Sequence, residues 1–214
     1  MKNLLIIFLL LIIYSCNSEQ KMETEKQGQK KISDNMKGAT DTAVFAGGCF
    51  WCLEAEFQEL KGVYSVESGY SGGNMENPSY EDVCTGTTGY AEAVKVVFNP
   101  DIISFEKLLE VFWTIHDPTT LNRQGHDIGT QYRSAIFSMN DVQQLSAEKY
   151  MKLLNAQKVY EKPIVTEISP LKNFYMAEDY HLNYYKNNPY QPYCSIVIKP
   201  KLDKIRSVFK DLLK

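Results

Sequence analysis

The chain has 214 residues, with 23 Lys plus Arg, 26 Asp plus Glu and a formal net charge of −3. That mild acidity argues against nucleic acid as the main partner. Its five cysteines are too few to staple a scaffold of this size, so redox catalysis or metal binding is the better use for them. The sequence shows neither an internal repeat nor a nucleotide-binding glycine loop.

The first fifteen residues read as an export leader. Lys2 is followed by an unbroken apolar run, Leu4 to Ile13, too short to stop in a bilayer. The run ends at Ile13-Tyr14-Ser15-Cys16, which resembles a lipobox. The expectation is a lipoprotein signal peptide over 1–15 and Cys16 as the lipid-bearing mature N-terminus. The protein would then be an exported, membrane-anchored lipoprotein of the cell envelope. An ordinary secretory signal is the alternative, and it too exports the chain. Asn17 to Thr42 holds no aromatic residue and is rich in Lys, Glu, Gln and Ser, so 16–42 is expected to be a flexible tether, with a random-coil span of roughly 28 Å. Residues 43–214 suit one compact domain.

Ala43 to Ala46 reads as a buried strand and Cys52 to Leu60 as a helix. Val63 to Tyr70 is a second strand, followed by a loop rich in Gly, Asn and Pro through Thr88. Ala91 to Phe98 is a third strand, closed by Asn99-Pro100. Ser104 caps a helix with Leu108, Leu109, Val111, Phe112 and Ile115 on its apolar face. Asp117-Pro118 stops that helix. A polar loop runs to Thr130, Gln131 to Phe137 is a fourth strand, and Asp141 starts another helix. The order predicts an α+β fold, the ferredoxin-like βαββαβ plait with helices on one face of an antiparallel sheet. A C-terminal extension adds a strand over Ile164 to Ile168 and a helix over Lys201 to Lys214, with Leu202, Ile205, Phe209 and Leu212 on one stripe.

The segment Gly47-Gly48-Cys49-Phe50-Trp51-Cys52 concentrates the chemistry. It sets Cys49 at a strand-to-helix turn, where the helix end favours negative charge and should ease ionisation to the nucleophilic thiolate. Glu92 shares a strand face with Val94, Val96 and Phe98. A carboxyl there should have a raised pKa and could act as a general acid. The loop Asn122 to Ser134 is dense in hydrogen-bonding side chains, and Asp127 and Tyr132 could each contact a substrate oxygen. His126 reads as a solvated loop residue, His116 as a helix-end residue and His181 as structural. Cys84 reads as a small buried residue. The scattered His and Cys offer no second closely spaced ligand pair, so no metal is expected.

Gly48-Cys49-Phe50-Trp51 resembles the active-site motif of the A-type peptide methionine sulfoxide reductases. So do Ser68-Gly69-Tyr70-Ser71-Gly72-Gly73, Asn77-Pro78-Ser79-Tyr80, Thr88-Gly89-Tyr90-Ala91-Glu92 and the Asn122 to Ser134 loop. With Asn188-Pro189-Tyr190 and Tyr193-Cys194, the resemblance covers about residues 43–195. One departure is Tyr90, where the family usually carries histidine. The resemblance implies that Cys49 attacks the sulfoxide sulfur of methionine S-sulfoxide and Glu92 protonates its oxygen. It implies that Tyr80 and Tyr132 hydrogen-bond that oxygen, Phe50 and Trp51 receive the methyl group, and Asp127 orders the polar side of the pocket. The products are methionine and a cysteine sulfenic acid, which a second thiol closes to a disulfide. Thioredoxin or another dithiol would reduce it, with no resident cofactor. The partners implied are oxidised proteins and peptides and a thioredoxin-like reductant, with no nucleic acid, and the protein is expected to be a monomer.

Three thiols could resolve Cys49. Cys52 is nearest, but a helical first turn would point its side chain away, and so short a ring needs narrow sulfur geometry. Cys194 lies in a segment expected to be mobile, and the resemblance also puts a resolving cysteine there. Cys194 is therefore preferred and Cys52 is the alternative. A thioredoxin-like disulfide oxidoreductase, suggested by Cys49-x-x-Cys52, is a rival reading, but it needs neither Glu92 nor the tyrosines. A lipid-anchored binding module without turnover is a third.

Overall fold

The computed structural model describes residues 38–214. The leader, Cys16 and the tether up to residue 37 lie outside the described residues. Ala39–Lys214 forms one compact unit with a mixed α/β fold.

Strands β1 (Asp41–Gly47), β2 (Val63–Ser71), β3 (Ala91–Phe98) and β6 (Ser134–Ser138) form the middle of a six-stranded sheet, flanked by β7 (Glu167–Pro170) and β8 (Phe174–Met176). The spatial order is β7-β6-β1-β3-β2-β8. Every neighbouring pair is antiparallel except β6 and β7, which run parallel. β4 (Arg123–Gln124) and β5 (Asp127–Ile128) make a small separate hairpin. The helices are α1 (Phe50–Gln58), α2 (Tyr80–Cys84), α3 (Phe105–Ile115), α4 (Asp141–Ala156), α5 (Tyr184–Asn187) and α6 (Lys199–Val208), with one π-helical segment, Cys194–Ile198.

Strand alternation sorts the side chains. Phe45, Val94, Val96 and Phe98 join Leu53, Phe57, Leu108 and Phe112 in the main core. Phe45 stacks between Phe57 and Phe112, at 5.2 and 5.0 Å between ring centres. The opposite face holds smaller groups, Val44, Ala46, Ala91, Ala93 and Ala135 with Phe137, under Leu171 and Phe174. β3 is central and covered on both faces, so Glu92, facing the main core, has no route to solvent through the sheet.

Several boundaries differ from expectation. The sheet begins at Asp41, which pairs with Phe98, because a ladder bonds backbone and accepts the polar end of the expected tether. The fourth strand starts at Ser134 rather than Gln131. Thr130–Tyr132 form a 3₁₀ turn instead, closed by Tyr132 N–H donating to Gly129 O at 3.0 Å. The extra strand falls at Glu167–Pro170, where it can register with β6. The C-terminal helix ends at Val208 and a 3₁₀ turn follows. There Lys61 N–H donates to Leu212 O at 2.7 Å and Lys214 N–H to Glu59 O at 2.9 Å. Those tertiary bonds replace further helical ones.

Candidate active site

The site is built around the start of α1. Cys49 is its N-cap, with extended backbone angles φ −60° and ψ 125°. An N-cap side chain leans over the third helical residue, which here is Cys52. Accordingly the Cys49 and Cys52 thiols are hydrogen-bonded, and Cys52 N–H donates to Cys49 O at 3.1 Å. This corrects the expectation that Cys52 points away. Gly48 makes the turn possible: its φ is +97°, and a Cβ there would lie 2.6 Å from Gln124 Cγ. Gln124 belongs to the β4–β5 hairpin, and its amide pins Asp117 by two hydrogen bonds of 3.1 Å. The Asn122 to Ser134 loop is thereby held against the nucleophile.

Glu92 is 1% exposed. It accepts the Phe50 N–H, the first free donor of α1, at 3.0 Å. Burial raises its pKa to about 8, the Phe50 bond partly opposes this, and negative charge at Asp127 and Cys52 adds to it. Glu92 is therefore mostly a neutral acid at pH 7, as its strand pattern predicts. The ionisation expected of Cys49 is not found. Burial, its hydrogen bond with Cys52 and the charges of Cys52 and Glu92 push its thiol well up. The helix end does not offset them because the Phe50 N–H is directed at Glu92. Cys52 instead falls to about 7, through the hydrogen bond from Cys49 and, against burial, the Lys201 ammonium and Tyr193. The two thiols titrate as a pair.

Tyr80 opens α2, whose capping box sets its angle: Asp82 N–H donates to Ser79 Oγ at 3.2 Å, and Ser79 N–H to Asp82 Oδ2 at 3.0 Å. Glu178 bridges, accepting Tyr80 N–H and the Tyr70 hydroxyl, each at 2.8 Å. Burial, chiefly, raises the Tyr80 and Tyr132 hydroxyls above the usual tyrosine value, with the Glu92 charge a lesser cause in both. Both remain protonated donors at neutral pH. Cys84 is exposed, not buried as expected, because it ends the short α2 at the surface; its thiol bonds the Tyr80 hydroxyl. Trp51 stacks on Tyr184 at 3.7 Å and donates its indole N–H to His181 Nδ1 at 3.1 Å. His181 is thus structural, and His126 is exposed. His116 is buried at the end of α3, bonds Ser134 Oγ at 2.8 Å and is lowered to about 4 by desolvation.

Cys49, Phe50, Trp51, Tyr80, Glu92, Asp127, Tyr132 and Tyr193 line one cavity of about 200 Å³. A larger cleft of about 560 Å³ lies between α3 and the Val159 to Lys162 segment, but holds no thiol. The cavity brings together every residue expected to act on or bind the substrate, and the two candidate resolving thiols, Cys52 and Cys194, do not line it. Cys52 lies directly behind Cys49. Cys194 is fully buried in the π-helical segment, close enough for the Cys52 charge to raise its thiol after burial has done so. In its segment Asn188 N–H donates to Tyr184 O, Gln191 N–H to Asn188 O and Ser195 N–H to Gln191 O, at 2.9, 3.1 and 3.0 Å.

The family model described as peptide methionine sulfoxide reductase matches residues 41–213. The chain belongs to this family. The peptide methionine sulfoxide reductase MsrA of Deinococcus radiodurans is 51% identical over 198 residues, 92% of this chain and 94% of that one. MsrA of a Nitratiruptor species is 53% identical over 174 residues, 81% of this chain and 99% of that one. Among solved structures, the reduced form of Mxr1 from Saccharomyces cerevisiae matches with TM-score 0.68 at 36% identity, covering 72% of this chain and 89% of that one. Methionine sulfoxide reductase A of Corynebacterium diphtheriae matches with TM-score 0.65 at 38% identity, covering 73% and 80%.

Sequence reasoning on this reductase missed three positions. Tyr193 donates to Asp127 Oδ2 at 2.7 Å and bonds the Cys49 thiol; its place beside Cys194 was the available signal. Glu178 and Lys201 had none: Glu178 stands in a segment without apolar period, and Lys201 is one of several lysines on the polar side of a helix. Tyr90, the departure from the usual histidine, is buried, donates to Met75 O and accepts Asn173 Nδ2–H at 3.3 Å.

Proposed function

We propose that Cys49 and Glu92 act together to reduce methionine S-sulfoxide, free or within a peptide. The observation that carries this reading is their convergence with two tyrosine donors and an aromatic wall on one small cavity, in a chain of the reductase family. The Cys49 thiolate, its proton passed to the Cys52 sulfur, attacks the sulfoxide sulfur. Glu92 delivers its proton to the sulfoxide oxygen, while Tyr80 and Tyr132 stabilise charge developing there. Phe50 and Trp51 take the methyl group, and Asp127 orders Tyr193 over the polar side. The oxygen leaves as the hydroxyl of a Cys49 sulfenic acid, methionine is released with the electron pair, and Glu92 is left ionised. A thiol then closes a disulfide and water departs.

The contact of Cys49 with Cys52 favours that pair for the first disulfide. Cys194, packed near Cys52, is assigned the second exchange instead of the direct attack preferred from sequence. Thioredoxin or a similar dithiol regenerates the thiols. The sequence pattern alone supports export and lipidation at Cys16. The central order β6-β1-β3-β2, with antiparallel neighbours, supports the ferredoxin-like reading of the inner sheet. Racemic N-acetylmethionine sulfoxide with dithiothreitol tests the activity. The S epimer alone should be consumed; loss of the R epimer, or of neither, would refute it.

A further inference from the structure

Three backbone segments around the cavity meet at one side chain that the reduction step does not use, Arg133. It follows the 3₁₀ turn Thr130–Tyr132, which presents Tyr132 to the cavity. Its side chain is 15% exposed. Nη1 donates to Thr130 O at 3.2 Å, Nη2 donates to Gly89 O at 3.0 Å, and Nε donates to Glu167 Oε2 of β7 at 3.1 Å. Gly89 stands three residues before Glu92, where the chain enters β3. The guanidinium also lies against Gly72, directly after β2, where a Cβ would fall 2.7 Å from Nη2. A planar fork with donors in fixed directions can serve these acceptors together, and a single ammonium on a flexible stem cannot. The two ends of the clip differ in freedom. β3 is held by ladders to β1 and β2, with Glu92 paired to Tyr70, so Gly89 O is a fixed post beside it. The turn lies outside the ladder, which the chain joins at Ser134. A second tie, Thr130 Oγ1–H donating to Gly86 O at 2.9 Å, brings the turn to the same loop.

We propose that Arg133 is a positioning residue for the reduction step: by joining Thr130 O to Gly89 O, it sets the Tyr132 hydroxyl and the Glu92 carboxyl at the separation that one sulfoxide oxygen bridges. The proposal rests on the reading of Tyr132 as a donor to that oxygen. Arg133 does not line the cavity, and its guanidinium stays protonated throughout, so it moves no proton and its effect is geometric. A donor stabilises developing charge when it sits about 2.7–3.1 Å from the oxygen. A displacement of about 1 Å can cost roughly 10²-fold in rate. Loss of the clip frees the turn, while Glu92 stays in its ladder.

The test is a double-mutant cycle on the full chain. Methionine released from N-acetylmethionine S-sulfoxide in a single turnover is read, as its N-acetyl form, by rapid quench. The variants are Arg133→Met, Arg133→Lys, Tyr132→Phe and the two double variants. Each Arg133 change alone should slow release about tenfold or more. The half-saturating substrate concentration should move less than about threefold, because the donor acts on charge that develops in the transition state. Lysine keeps the positive charge opposite Glu167, so a role confined to holding β7 would be restored by Arg133→Lys. In the Tyr132→Phe background, either Arg133 change should cost less than about twofold. A merely structural role would give the same slowing factor in both backgrounds. That result, or wild-type release rates in the Arg133 variants, would overturn the proposal. If Arg133→Met does not fold, Arg133→Lys carries the cycle with the same two outcomes. Release at the wild-type rate by Tyr132→Phe would overturn the reading of Tyr132 as a donor instead, whatever the Arg133 variants do.

Discussion

Replacing Glu92 by Gln separates the chemistry of this site from its stability. The amide keeps the shape and can still accept the Phe50 N–H, but it has no proton to give. With Glu92 near pKa 8, about nine in ten molecules carry the acid at pH 7, so the loss of general-acid assistance should slow the reduction step roughly 10²–10⁴-fold. The wild-type rate should fall as pH rises through about 8, and the variant should lack that limb. Stability should move the other way. A folded-state pKa of about 8, against 4.5 unperturbed, means that Glu92 is stabilising relative to its ionised form at low pH. It costs the fold increasingly as pH climbs from 4.5 through 8. The variant, which does not ionise, should therefore gain about 3 kcal/mol relative to wild type between pH 4.5 and pH 7, and any constant cost of the amide cancels in that comparison. Rapid-quench release of methionine and urea unfolding at the two pH values supply both numbers. An unchanged release rate, or a stability difference that is flat with pH, would refute the reasoning.

Gly48→Ala forces a side chain into positive φ and against Gln124; urea unfolding should show a loss of about 1–3 kcal/mol, and a change under about 0.5 kcal/mol would remove the argument. Tyr193→Phe deletes the hydroxyl that bonds Asp127 and Cys49. It should slow reduction roughly tenfold or more and raise the titration of the thiol pair, and an unshifted ultraviolet thiolate titration with normal rate counts against it. After one turnover, Cys194→Ser should still yield a Cys49–Cys52 bridge while thioredoxin-driven cycling falls. A direct Cys49–Cys194 bridge in the wild type would reverse the order assigned here.

The inner strands, α3 with its Ser104 cap, and the face that buries Glu92 were legible because strand alternation and helical period act locally. The cavity was legible as motifs, and the resemblance joined them. The state of Cys49 was not, because it depends on where the Phe50 N–H points and on what surrounds the sulfur, both set by β3 and α6. Cys52 was misjudged because an N-cap residue does not follow helical side-chain directions. The turn hydrogen bonds that order Asn188 to Ser195 join backbone groups, and no side-chain pattern announces them. Glu178 and Lys201 act across long stretches of chain, a relation no local pattern encodes.

The central claim is that Cys49 is the atom that takes oxygen from the substrate. Enzyme and methionine S-sulfoxide are mixed without reductant, and free methionine is counted per molecule for the wild type and Cys49→Ser. The account predicts a prompt burst from the wild type and none from a folded Cys49→Ser. Methionine released by Cys49→Ser at a comparable amplitude would contradict it.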